Sequence, residues 1–524
     1  MKRNVFRNPR LTVSLLAGLL AGSALTADDR PWQDPSRHRL PATDREYVRT
    51  SGYVEETPVP EYRWAPESAY EQFNDMKFGV RIHWGIYSLY GSTKESWNYL
   101  RMPPAEKHAY NQQYKTWNPA GFDADAWMDF FAASGMKMFA FTTKHHDGFS
   151  LFDTKARVKR RVNYAAPAEP VLEDCDLAYS IMEGPFKRDI VRELCDAARQ
   201  RDIKIDLYFS NPDWYDADFR PHVWHPVQIP SWSTQAVVGK DRQPEGPPGT
   251  RHGERGGTVM APDPTQEEID RMVQRHRTQL TELLTNYGKI DMVCLDMWLG
   301  PASWPQIRET MMALRKIQPD VMFRARGIGN YGDYYTPEGF VPGSKENTEV
   351  PWFVIYPLGE NFSYEPDPAK HKGSKWVITN IVDSAAKGGN FMVGIGPDGN
   401  GTFHPTAIEQ LKLVGEWLKV NGRGIYATRA RDGDKWKEGE NIRYTRTKDR
   451  RVIYAHALEW PGEQLVLETV TPKAQSKIFL LGHDQPLSWK IDEQKRLVIE
   501  TPAAAQQSIP EKLRLAYSFA IDSD

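Results

Sequence analysis

Short apolar runs alternate with amphipathic stretches from residue 77 onward, and that rhythm predicts a parallel sheet wrapped by helices. KFGVRIHWG (77–85), KMFAFTTK (137–144), IKIDLYFS (203–210), IDMVCLD (290–296), VMFRAR (321–326) and NFMVGIGP (390–397) fit short strands covered on both faces. Between them, DADAWMDFFAASG, PFKRDIVRELCDAARQRD and PTQEEIDRMVQRHRTQLTELLTNYG place apolar residues at helical spacing. Repetition of such units predicts an α/β chain closing into a (β/α)8-like barrel over residues 61–430. No G-x-G-x-x-G turn follows the first run, which argues against a dinucleotide-binding sheet.

The pattern changes after about Ala430. RVIYAHALEW, EQLVLETV, KIFLLG, LSWKID, RLVIET and LRLAYSFAID are short, rich in β-branched residues and separated by turns, predicting a C-terminal antiparallel β-sandwich over 431–524. Such a module either binds carbohydrate or supports the barrel. Two long insertions, 156–184 and 211–263, follow barrel strands and are expected to lie on the substrate-facing side as lids.

At the N-terminus a basic stretch, MKRNVFRNPR, runs into LTVSLLAGLLAGSALTA. This reads as a secretory signal over 1–27, cleaved after Ala24 or Ala27, with 28–60 as a polar lead-in. The apolar run falls short of the roughly 20 residues that span a bilayer comfortably, although an uncleaved anchor is the alternative. A periplasmic or secreted protein is expected, with no membrane association once the signal is removed. Export permits disulfides, but there are only three cysteines, and Cys294 sits inside an apolar strand. Cys175 with Cys195 is the one pairing worth testing. Neither a C-x-x-C nor a Cys/His zinc spacing is present. With 67 basic and 69 acidic residues the formal charge is −2, so no overall field would draw nucleic acid.

Chemistry concentrates where the apolar runs end, as barrel enzymes require. HWG closes the first run, HHDGF follows the second, and Asp296 ends the fourth. Successive strand residues face opposite ways, so His145 and His146 could chelate one metal only if the chain bends there.

HWG, the tryptophan-bearing acidic segment ESWNY and KHHDGF together resemble glycoside hydrolase family 29, the retaining α-L-fucosidases, from about Trp64 to Tyr426. The resemblance implies an exo-glycosidase that needs neither metal nor cofactor, with a fucosylated glycan as partner. It casts Asp296 as nucleophile and Glu338, in DYYTPE, as acid/base, with Glu346 and Glu349 as rivals. Phe353 stands where some members have a glutamate after the later tryptophan. His83, His145 and His146 would bind sugar hydroxyls with Trp84 in support, and Asp147 would be structural. Tyr208 would contact the sugar near the nucleophile, and Arg326 would orient a carboxylate. Trp97 stands beside the position of a family acidic residue, from which Glu95 is displaced by one. Where the family has tryptophan two residues before the nucleophile and glycine after it, this chain has Cys294 and Met297. A silent carbohydrate-binding protein, or a glycosidase for a related deoxy, galacto-configured or sulfated sugar, are the alternatives. Oligomeric state is not legible.

Overall fold

A computed structural model describes residues 32–41, 45–91, 94–165, 171–219, 225–226, 265–337 and 349–523. The apolar runs become β1 (Phe78–Ile82), β2 (Met138–Lys144), β5 (Lys204–Ser210), β6 (Met292–Asp296), β7 (Met322–Phe323), β8 (Phe353–Pro357) and β9 (Asn390–Ile395). These seven strands form one parallel sheet in the order β7-β6-β5-β2-β1-β9-β8. Its two edges meet through residues 334–335, which bridge in parallel to both sides, Arg324 with Tyr334 and Tyr335 with Trp352. The Ala325 N–H donates to the Tyr334 carbonyl at 2.9 Å and the Tyr335 N–H to the Pro351 carbonyl at 3.0 Å. This two-residue stave completes the predicted barrel and removes both open edges. Every residue of β1, β2, β6 and β9 is buried, as strands covered on both faces must be.

Around the sheet run α1 (Arg45–Thr50), α2 (Glu67–Met76), α3 (Pro104–Gln112), α4 (Ala124–Ala133), α5 (Ile190–Gln200), α6 (Gln266–Asn286), α7 (Trp304–Ile317), α8 (Ser374–Ala386) and α9 (Pro405–Asn421). Their starts follow local chemistry. The Asp123 carboxylate accepts from the Ala126 N–H at α4, and Thr265 with Glu268 forms a reciprocal capping box at α6.

The N-terminal end of the barrel is plugged. Trp32, Tyr70, Phe73 and Met76 pack against Met138, Met292, Met322 and Phe353, the first residues of their strands. Trp32 stacks on Tyr70 at 3.9 Å, the Arg37 guanidinium lies 3.8 Å from the Trp32 ring centroid, and Arg37 pairs with Glu349 at 2.9 Å. Part of the stretch read as a polar lead-in therefore seals this end, leaving the opposite mouth for chemistry.

The insertion after β2 holds an antiparallel hairpin of β3 (Val158–Asn163) and β4 (Val171–Leu177). Most of the 211–263 insertion, with the lid expected there, lies outside the described residues. The C-terminal segment forms two antiparallel sheets as expected. β10 (Lys437–Glu438), β11 (Ile442–Arg446), β12 (Val452–Ala457), β14 (Ile478–Leu480) and β17 (Tyr517–Asp522) make one; β13 (Gln464–Leu467), β15 (Trp489–Ile491) and β16 (Leu497–Glu500) make the other. They lean on outer helices: Arg443 pairs with Asp383 of α8 at 2.8 Å, Arg429 with Glu71 of α2 at 2.6 Å, and Trp417 of α9 donates to the Ala516 carbonyl at 2.9 Å. Cys175, Cys195 and Cys294 are all free thiols, so the Cys175–Cys195 pairing is not made.

Candidate active site

Alternation along the strands stacks polar side chains inside the barrel in two rungs. In the lower rung Arg81 lies 2.9 Å from the Cys294 sulfur and 3.8 Å from Asp206, while Arg324 reaches the same sulfur at 3.4 Å. Two positions further along each strand come His83, Tyr208, Asp296 and Arg326, at the mouth.

Asp296 is the electrostatic centre of the upper rung. The Arg326 guanidinium donates to Oδ1 at 2.6 Å, with Arg324 at 3.3 Å, and the Tyr208 hydroxyl donates to Oδ2 at 2.6 Å. The His146 Nε2 stands 3.8 Å from Oδ2. Burial alone would raise this carboxyl, but the Arg326 and Arg324 guanidiniums, with the Tyr208 hydrogen bond, outweigh it and hold the group well below the usual carboxylate range. It is an anion at neutral pH, fixed from both oxygens. Met297, the next residue, has φ +66°, the left-handed region that glycine favours, at a cost of about 1–3 kcal/mol for a side-chain-bearing residue.

Three imidazoles surround it, each anchored at Nδ1 by a hydroxyl. His83 meets Thr142 Oγ1 at 3.0 Å, His146 meets Ser210 Oγ at 2.5 Å, and His145 bonds Ser96. Thr142 gives its own proton to the Ile82 carbonyl at 3.1 Å and Ser210 to the Pro212 carbonyl at 3.0 Å. Each hydroxyl must then accept from Nδ1–H, so His83 and His146 offer Nε2 as an acceptor. Burial holds His83 and His145 well below the ordinary imidazole range and brings His146 down to about 4, so all three are neutral near pH 7.

His145 and His146 share one side because the chain leaves the strand at Lys144. The Gly148 N–H closes a turn onto the His145 carbonyl at 3.0 Å, and Gly148 has φ +82°. A Cβ there would lie 2.1 Å from Asp213 Oδ1, so only glycine fits. The two rings are 4.2 Å apart, and His145 stacks 5.6 Å from Tyr208. Asp147, inside the turn, accepts from the Tyr110 hydroxyl, and burial raises its carboxyl to about 7.

The tryptophans divide. Trp97 lies 4.8 Å from the His146 ring and packs with Met297 and Trp298, at the mouth. Trp84 turns away from Asp296. It is fully buried against Trp117, Phe122 and Trp127, and its indole N–H donates to the Asp398 carbonyl at 2.8 Å, so it supports the strand end from behind. Glu95 is buried at φ +48° on the turn that carries Ser96.

Of the three glutamates weighed as acid/base, Glu338 and Glu346 lie outside the described residues. Glu349 sits in the plug, beside Arg37, at the end of the barrel opposite Asp296. Sequence reasoning passed over Ser96, Thr142, Ser210 and Arg324. Thr142 and Ser210, at the ends of β2 and β5, carried a signal in their place along the strands; Ser96, on the helical turn Glu95–Arg101, carried none. Among the described residues no three His, Cys, Asp or Glu side chains converge as a metal site.

A closed parallel barrel with one ionised carboxylate among neutral imidazoles at its mouth has the build of a barrel enzyme's active site and supplies one of the two carboxyls that glycoside hydrolysis uses. The family model for alpha-L-fucosidase matches residues 53–423, and that for the alpha-L-fucosidase C-terminal domain matches 437–522. The chain belongs to the alpha-L-fucosidase family. It is 27% identical to the plasma alpha-L-fucosidase of Pongo abelii, over 84% of this chain and 88% of that one. Against the human tissue alpha-L-fucosidase the identity is 26%, over 84% and 86%. Among solved structures, alpha-L-fucosidase isoenzyme 1 of Paenibacillus thiaminolyticus superposes with a TM-score of 0.68 at 25% identity, covering 87% of this chain and 99% of that one. An alpha-L-fucosidase of Bacteroides thetaiotaomicron, trapped as a covalent intermediate, gives 0.67 at 22% identity, over 89% and 99%.

Proposed function

We propose that this protein is an exo-acting, retaining α-L-fucosidase in which Asp296 is the nucleophile and Glu338 the acid/base. The observation that carries the reading is the Asp296 carboxylate, ionised and gripped by Arg326 at one oxygen and Tyr208 at the other, in the mouth of the barrel. Asp296 attacks the anomeric carbon as the bond to the leaving oxygen breaks, and that oxygen takes the proton of Glu338. The Glu338 carboxylate then removes a proton from water, whose oxygen attacks the same carbon and expels Asp296. Arg326 and Arg324 favour the carboxylate both before attack and when it leaves.

Neutral imidazoles suit a fucosylated glycan, because His83 and His146 can each accept from a sugar hydroxyl at Nε2 without placing a charge in the site. His83, His145 and His146 take that role, with Trp97 at the rim and Trp84 behind. The two departures from the family pattern support an enzyme rather than a silent binder. Cys294 is accommodated between Arg81 and Arg324, and Met297 adopts the backbone region that a glycine would. Export to the periplasm or cell exterior rests on the 1–27 segment; among the described residues no helix is long and apolar enough to cross a membrane.

Proton NMR of an aryl α-L-fucoside during hydrolysis tests the reading. The first-formed fucose should be the α anomer, mutarotating later, and a β first product would overturn the two-step mechanism. Dialysis against a chelator should leave turnover unchanged. Loss of turnover restored by zinc would remove the histidines from hydroxyl binding and make them ligands.

A further inference from the structure

The nucleophile's aim depends on the backbone that follows it, and that backbone is held from the neighbouring strand. Asn211 directly follows β5. Its N–H donates to the Asp296 carbonyl at 2.9 Å, and its side-chain amide Nδ2 donates to the Met297 carbonyl at 2.9 Å. Asn211 therefore grips both residues of the left-handed turn, through one backbone and one side-chain bond. Gly327 leaves room for this grip. A Cβ there would stand 2.6 Å from the Met297 oxygen and 2.8 Å from Asn211 Nδ2.

The amide has only one workable orientation. His276 of α6, fully buried, places Nε2 3.0 Å from Asn211 Oδ1. The Met297 carbonyl only accepts, so Nδ2 must face it and Oδ1 must face His276, which then donates from Nε2 and locks the amide in place. Burial, with Lys144 and Arg275 nearby, brings His276 down to about 3, so it stays in its neutral form. The residue before Asn211 is Ser210, which anchors His146. One dipeptide at the end of β5 thus sets both an imidazole and the carboxylate beside it.

We propose that Asn211, oriented by His276, is a positioning residue for the nucleophile, holding Met297 in the left-handed turn that aims Asp296 at the anomeric carbon. It touches no reacting atom. The proposal rests on Asp296 being the nucleophile, and its test separates the two claims. A turn held against its own backbone preference needs the clamp more than one that is at ease there, so the effect of losing Asn211 should depend on residue 297.

The experiment is covalent trapping of the full-length protein by a 2-deoxy-2-fluoro-fucosyl fluoride, followed by mass spectrometry. Label on Asp296 in the wild type supports the mechanism, and label elsewhere overturns both claims. Asn211→Ala should trap up to ~10²-fold more slowly at saturating reagent, with little change in the half-saturating concentration, because a misaimed group loses rate rather than affinity. His276→Phe, which keeps Asn211 but removes its orienting donor, should shift the same rate in the same direction by less. In a Met297→Gly background the loss on Asn211→Ala should shrink at least threefold. Wild-type labelling at Asp296 with an unchanged rate in folded Asn211→Ala, judged by near-UV circular dichroism, overturns the clamp alone. So does an equal loss in the Met297 and Gly backgrounds. If Asn211→Ala does not fold, the His276→Phe rate decides, and no slowing there overturns the proposal.

Discussion

Asp296→Gly should lose ~10⁴-fold or more in turnover while keeping its fold, and sodium azide should restore part of it. Glycine leaves a space on the face from which the carboxylate attacks. Azide entering that space would displace the leaving group in one step and give fucosyl azide with the anomeric configuration inverted. The Asp296 charge also balances Arg326 and Arg324 in a buried place, and removing one partner of such a group costs about 3–5 kcal/mol when nothing replaces it. Azide is an anion of similar reach, so rescue should come with a gain in thermal stability that chloride at equal ionic strength does not give. A variant with most of its activity left would remove Asp296 from the mechanism.

Glu338→Ala should separate substrates by their leaving groups. Natural-type linkages to sugar alcohols need the proton and should slow by ~10²–10⁴-fold. Aryl fucosides whose phenol leaves unaided should hold their first step nearly unchanged and be limited by the second, where azide again accelerates. Glu349→Ala is the control, because its carboxylate meets Arg37 in the plug at the far end of the barrel. It should lower thermal stability and leave both substrate classes alone. The leaving-group profile appearing in Glu346→Ala, with Glu338→Ala near normal, would move the role to Glu346.

The sequence showed the strands and most of the polar residues they deliver, because a fully covered parallel strand is an unbroken apolar run whose end is marked by the first polar residues. Asp296 and His83 were legible for that reason, and Tyr208 only through the family resemblance. The 334–335 stave was not, since two residues carry no periodicity and their pairing depends on where β7 and β8 leave a gap. The hydroxyls of Ser96, Thr142 and Ser210 were invisible for another reason. Serine and threonine occur everywhere, and only the fold says which imidazole each one faces. Histidines 145 and 146 defeated the alternation rule because it ends with the strand. Trp84 was read as support for the sugar-binding histidines; the turn after β1 sends it instead into the cluster of Trp117, Phe122 and Trp127. The β3–β4 hairpin carries clusters of charged residues, Lys159–Arg161 and Glu173–Asp174, inside what reads as one long insertion, so its strands were lost among polar neighbours.

The short stave has a bearing on how such a barrel changes its diet over evolutionary time. A strand of ordinary length is locked to its neighbours by a ladder, and lengthening the loop beyond it strains that ladder. Residues 334–335 are joined by single bridges on each side. Chain can therefore be added or removed between Pro337 and Glu349 while the other seven staves keep their register. That stretch contains Glu338, so if Glu338 is the acid/base, as proposed, the proton donor belongs to the part of the chain where changes in length are best tolerated. On that assignment, a change of length there would alter the leaving-group side and leave Asp296 and the three histidines in place.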